Sequence, residues 1–109
     1  MVGGPFLLAT LAGLAFPAGA ALAVPGPTWS EALSEGRQAA EAVLGRTGSE
    51  TCLQGKLMNA MVSVSDSCDA DGRRSTLCIM AEDFIVGGVV PLSDMDVVSK
   101  RFLKLAATP

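Results

Sequence analysis

Three cysteines, Cys52, Cys68 and Cys78, are the side chains of this sequence best suited to covalent chemistry. They frame one stretch. Cys52-Leu-Gln-Gly-Lys56 leads into an apolar run, then comes the polar segment Asp66-Ser67-Cys68-Asp69-Ala70-Asp71-Gly72-Arg73-Arg74, then Ser75-Thr76-Leu77-Cys78. Two apolar segments around a polar turn read as a helical hairpin with thiols at its ends. In such a hairpin Cys68 falls just past the end of one helix and Cys78 in the first turn of the next, so the two meet. Cys52 starts the first helix, about 20 Å from the turn at 1.5 Å per residue. A disulfide tolerates Cα separations only up to about 7 Å, so the expected bridge is Cys68–Cys78.

An odd thiol then remains, since three cysteines cannot all pair within one chain. Cys52 shares the polar side of its helix with Lys56, Asn59 and Ser63. It sits in the first helical turn one turn from a lysine, a setting in which thiols react readily. Three outcomes are open to it: packing under a loop or against the first helix, an intermolecular disulfide, or redox chemistry.

Other chemistry is scarce. The chain has no histidine and no tyrosine, so Ser/His/Asp and Cys/His nucleophilic catalysis and histidine metal sites are excluded. The cysteine spacing matches neither paired C-x-x-C zinc ligands nor a thioredoxin motif. Asp69-Ala70-Asp71-Gly72 resembles the start of a calcium loop. With Gly72 at the sixth position the loop would start at Ser67 and end at Cys78 where a glutamate is needed, and Arg73 and Arg74 intrude. The segment reads as a turn. Glu82-Asp83 and Asp94/Asp96 read as solvated faces or helix starts. No catalytic set, metal or cofactor is expected.

The 109 residues bound the chain to one domain, with 50% hydrophobic and 17% charged residues. The apolar excess is local, because no charged side chain precedes Glu31. Phe6-Leu-Leu-Ala-Thr-Leu-Ala-Gly-Leu-Ala-Phe16 has the length of a signal-peptide core, Pro17 breaks it, and Ala21-Leu22-Ala23 is a small-residue cleavage site. Residues 1–23 are therefore expected to be a signal peptide or, if retained, a membrane anchor. Residues 24–28 form an extended linker and residues 29–109 a small helical domain. A net charge of −3, without lysines and arginines gathered on one face, argues against nucleic acid as a partner.

The elements that must hold the cysteines follow from apolar spacing. Thr28 and Glu31 form a capping box, and Trp29, Leu33, Gly36, Ala40 and Val43 are spaced as one helical stripe. Ala32, Gly36 and Ala40 are small, so another helix can approach closely there. Gly45 is expected to end this helix as a left-handed cap. A second capping box, Thr47 with Glu50, opens a helix with the stripe Leu53, Leu57, Ala60, Met61 and Val64. Its far end is ambiguous, since Val62-Ser-Val-Ser65 alternates like a strand. A third helix, from Ser75 or Thr76, uses Leu77, Met80, Ala81, Phe84 and Ile85 and stops at Gly87-Gly88. A fourth, capped by Ser93, uses Met95, Val98, Phe102 and Leu105. The expectation is an all-α bundle of three to four amphipathic helices stapled by one intrachain disulfide.

Together these features point to a small exported protein, periplasmic or extracellular, that binds another protein or itself without catalysis. Met58 and Val62, off the buried stripe, are candidates for its contact surface. A membrane-tethered subunit of a larger complex and a thiol-redox protein using Cys52 are the alternatives.

Overall fold

The computed structural model describes residues 26–108. They form four helices: α1 Trp29–Leu44, α2 Glu50–Asp71, α3 Thr76–Gly87 and α4 Leu92–Ala106. No strand occurs among the described residues, and the all-α bundle expected from the apolar spacing is the fold. The leader, its Ala21-Leu22-Ala23 cleavage site, residues 24–25 and Pro109 lie outside the described residues.

Helix starts follow the capping logic at two places and depart from it at two. At α1 the box is complete: the Glu31 N–H donates to Thr28 Oγ1 at 3.1 Å and the Thr28 N–H to Glu31 Oε1 at 2.9 Å. Ser75 caps α3, accepting the Cys78 N–H at 3.4 Å. At α2 the cap is Ser49, which accepts the Cys52 N–H at 3.2 Å, and not Thr47. The turn explains the shift. Gly45 is right-handed (φ −88°) and Arg46 takes the left-handed conformation instead (φ 55°), so Thr47 is used up in reversing the chain. At α4 Ser93 is not the cap; the helix begins at Leu92 without a side-chain cap of its own. The Glu50 carboxylate on α2 does that work from a distance, accepting the Leu92 N–H at 3.2 Å. Sequence proximity could not show that acceptor.

The strand-like alternation at Val62–Ser65 is overridden, and α2 runs on to Asp71. The reason is continuous burial on one side: Leu53, Leu57, Ala60, Met61, Val64, Ser67 and Cys68 repeat every three to four residues and are all buried. Cys68 thus lies in the last turn of α2 and not beyond it. Gly72 closes the helix in the left-handed region (φ 66°), where a residue without Cβ is unstrained.

Packing is uneven. α1 lies against α2 and α4, and α2 against α1 and α3, whereas α3 and α4 touch only lightly and α1 does not reach α3. The bundle is a four-sided arrangement with one side open. On the closed sides the small residues act as expected. Gly36 lies under the Phe102 ring, and a Cβ at residue 36 would come within 2.6–2.7 Å of two ring carbons. α4 is rotated toward α1, so its buried stripe is Met95, Ser99, Phe102 and Ala106. Val98 and Leu105, expected in that stripe, are only half-buried.

Two arginines of α1 and its turn tie down α4. Arg37 Nη2 donates to the Ala106 carbonyl at 3.0 Å, satisfying a C-terminal carbonyl of α4. Arg46 grips Asp96 with two parallel bonds of 2.7 Å, a bidentate geometry that only a guanidinium offers. That grip holds the Asp96 carboxyl below its ordinary pKa of 3.8, with Lys100 adding to the effect. A depressed folded-state pKa means the contribution is fully present above the ordinary value and lost as pH falls through the depressed one. The melting-temperature gap between wild type and Asp96→Asn should therefore be constant from about pH 7 to pH 5 and close below about pH 4. A gap that persisted undiminished at the acid end would rule out this linkage.

Candidate functional site

Cys68 and Cys78 form a disulfide with Cα atoms 6.0 Å apart. Both are buried, at 3% and 7% exposure, and the Ser75 hydroxyl donates to Cys78 Sγ at 3.3 Å. The bridge is thus built into the base of the α2–α3 hairpin. Cys52 is free and exposed, and Lys56 on the next turn is exposed as well. The packed-under-a-loop outcome for Cys52 does not occur. One maleimide per native molecule should couple at Cys52 and none to Cys52→Ser, as read by intact mass. A native protein that labels only after denaturation would contradict the exposed position.

The carboxylates that are adjacent in sequence are separated in space. Glu82 faces a hollow beside the disulfide while Asp83 faces the opposite flank of α3. Asp94 lines that same flank, while Asp96 is engaged by Arg46. No group of three or more Asp, Glu, Cys or His suited to a metal occurs among the described residues. Arg73, read from sequence as part of an exposed turn, stacks over the Trp29 ring at 4.0 Å from its centroid. That cation–π contact pins the start of α1 to the α2–α3 turn.

The feature that sequence spacing left out is the outer face of α3. Only two of its twelve residues, Glu82 and Asp83, are charged, and both are acidic. A helix apolar on nearly every side is normally covered on every side. Here the stripe Leu77, Met80, Ala81 and Phe84 is buried against α2, while Ile79 and Val86 remain 54% and 82% exposed. Val89 in the following link and Val97 on α4 are 76% and 66% exposed. Where α3 and α4 part, a groove of about 330 Å³ opens, with Met80, Phe84, Val90 and Val98 lining it between Asp83, Asp94 and Arg101. On the other flank of α3 a hollow of about 300 Å³ includes Met58 of α2. Met58, expected to extend an apolar surface, does so; Val62 is 38% exposed but lines neither cavity.

Charged groups stand at the edges of the groove and its middle is aliphatic and aromatic, while the free thiol of Cys52 lines neither cavity. Such a groove accepts an apolar helix face with anchors one and two turns apart. The signal in the sequence was the composition of α3, whose Ile79 and Val86 are surplus to the stripe that covers α2. Comparisons with protein-family models, curated proteins and solved structures returned no match.

Proposed function

We propose that this is a small exported helical protein that acts by binding protein through the face made by α3 and α4, with no catalysis of its own. One observation carries the reading. Four of the five large apolar side chains that are exposed among the described residues, Ile79, Val86, Val89 and Val97, belong to α3, its outgoing link and α4. Apolar exposure scattered evenly over a surface needs no explanation, but exposure concentrated on one helical hairpin supports an interaction site there. Export is supported by the apolar leader and by the disulfide, a bond that is rare in reducing compartments. If the leader is retained, the same face would serve a membrane-tethered subunit. No helix among the described residues is long and apolar enough to cross a membrane; the tether in that reading is the apolar run of residues 1–23.

The test places a photo-reactive amino acid at Ile79, Val97 or Glu41, the last an exposed position on α1, in the protein as its own cell makes it. Residues 79 and 97 should give discrete protein adducts and residue 41 none. Intact mass of the uncoupled protein should begin at Val24. Equal labelling from all three positions, or none from any, would reject the binding face.

A further inference from the structure

We propose that the Cys68–Cys78 bridge is an exchangeable, polarised disulfide: Cys68 is the sulfur that takes an incoming thiol, and Cys78 is the sulfur that leaves. The proposal goes beyond the binding face and does not depend on it. The bridge joins opposite ends of two helices. Cys68 lies in the last turn of α2, where its carbonyl accepts the Arg73 N–H at 2.8 Å from beyond the helix end. Cys78 lies in the first turn of α3, which Ser75 caps. Carbonyls make the end of a helix negative, and amides make its start positive. Negative charge on sulfur is therefore disfavoured at Cys68 and favoured at Cys78.

The Ser75 side chain points the same way, independently of the helix ends. Its oxygen accepts the Cys78 N–H, and its own proton is donated to Cys78 Sγ at 3.3 Å. A thiolate accepts such a bond more strongly than a disulfide sulfur does, so the hydroxyl favours the Cys78 sulfur as the S–S bond breaks. Access comes from one side. Both half-cystines are buried, yet both line a hollow of about 210 Å³. The charges on its wall are Asp69 and Glu82 against Arg73 and Arg74, two of each sign, so the choice between sulfurs falls to the helix ends and to Ser75.

The exchange balances with a small thiol as reductant. A thiolate RS⁻ attacks Cys68 Sγ and forms the mixed disulfide RS–Cys68, while the S–S electron pair stays on Cys78. A second RS⁻ attacks the R-bearing sulfur, releasing RSSR and the Cys68 thiolate, and solvent protonates the two cysteines. Two electrons have then passed from the small thiols to the bridge. In the closing direction the Cys78 thiolate attacks Cys68 of the mixed disulfide and displaces RS⁻. Because α3 packs on α2 and only lightly on α4, this exchange latches and unlatches α3.

The test adds glutathione near neutral pH to the exported protein carrying Cys52→Ser, which removes the free thiol. The reaction is stopped with N-ethylmaleimide and the peptides are mapped. Molecules with one glutathione should carry it on Cys68, with maleimide on Cys78, at least about five times as often as the converse. Ser75→Thr keeps the hydroxyl and should keep this bias, with an opening rate within about two-fold of the parent. Ser75→Asp keeps a capping oxygen but sets a carboxylate where the donor stood. With its helicity unchanged by circular dichroism, it should open at least about three-fold more slowly and lose most of the bias. The map of the Cys52→Ser parent decides the polarity even where a Ser75 variant does not fold. An equal or reversed distribution of glutathione overturns the proposal. So does a Ser75→Asp protein that opens as fast as its parent with the same bias, or a bridge that opens only after denaturation. None of these readouts uses adducts at Ile79 or Val97, so the exchange and the binding face fail separately.

Discussion

Phe102→Ala is expected to lower the stability of this protein by about 3–5 kcal/mol, the range for emptying a fully buried aromatic site. Small domains hold only about 5–15 kcal/mol in total, so the variant should be close to unfolded at body temperature. The argument rests on where the ring sits. Phe102 is 0% exposed and its tip lies over Gly36 of α1, where no Cβ separates ring from backbone. Loss of the ring leaves a void that backbone-close packing cannot collapse to fill. Gly36→Ala is the sharper half of the experiment because its sign is informative. In an open helix position this change stabilises by about 1 kcal/mol. Here the new methyl overlaps a buried ring, and overpacking of that kind costs about 1–3 kcal/mol. Urea unfolding of Gly36→Ala, Phe102→Leu and the pair should show the double variant more stable than additivity allows. A Gly36→Ala protein as stable as wild type would mean the ring moves aside freely, and the close approach would then not be what sets the α1–α4 distance.

Removing the disulfide is the second large effect. Closing the short loop between Cys68 and Cys78, ten residues apart, restricts the unfolded chain by about 2–3 kcal/mol. For a domain of this size that corresponds to a fall in melting temperature of roughly 10 °C or more. Reductant and the Cys68→Ala/Cys78→Ala pair should agree, because both sulfurs are buried and alanine adds no polar group to the core. The location of the loss matters as much as its size. α1 holds both α2 and α4, whereas α3 leans on α2 alone and is barely touched by α4. Reduction should therefore release α3 first, with its amides losing hydrogen-exchange protection ahead of those in α1. Uniform loss across all four helices, or no change in melting temperature, would show that the bridge does not serve α3. Since the exposed apolar face is carried by α3, the disulfide also holds the proposed binding surface in place, and reduced protein should bind through it more weakly.

Much of this could be read from the chain because it is local. Apolar residues at three- and four-residue spacing force a helix to turn one side inward, and that spacing by itself places Leu53, Leu57, Met61 and Val64 of α2 and Leu77, Met80 and Phe84 of α3 in the core. The Cys68–Cys78 bridge followed as well, since a hairpin has two ends and only one brings sulfurs together. Thr28 and Glu31 needed nothing beyond three residues of backbone.

What the tertiary structure alone decided are the choices among partners that spacing leaves equivalent. Ser49 replaced Thr47 as a cap because Arg46 bends the chain, and Arg46 is held there by Asp96, fifty residues away. Ser99 and Ala106 took the places expected for Val98 and Leu105 in the buried stripe of α4, a shift by one residue that fits Phe102 seated on Gly36 of α1. α3 was left with a bare face because α4, once committed to α1, cannot also cover Ile79 and Val86. Helical periodicity states which sides are apolar, but which of them meet depends on fit between surfaces far apart in the chain. In this protein the smallest residue, Gly36, made that choice.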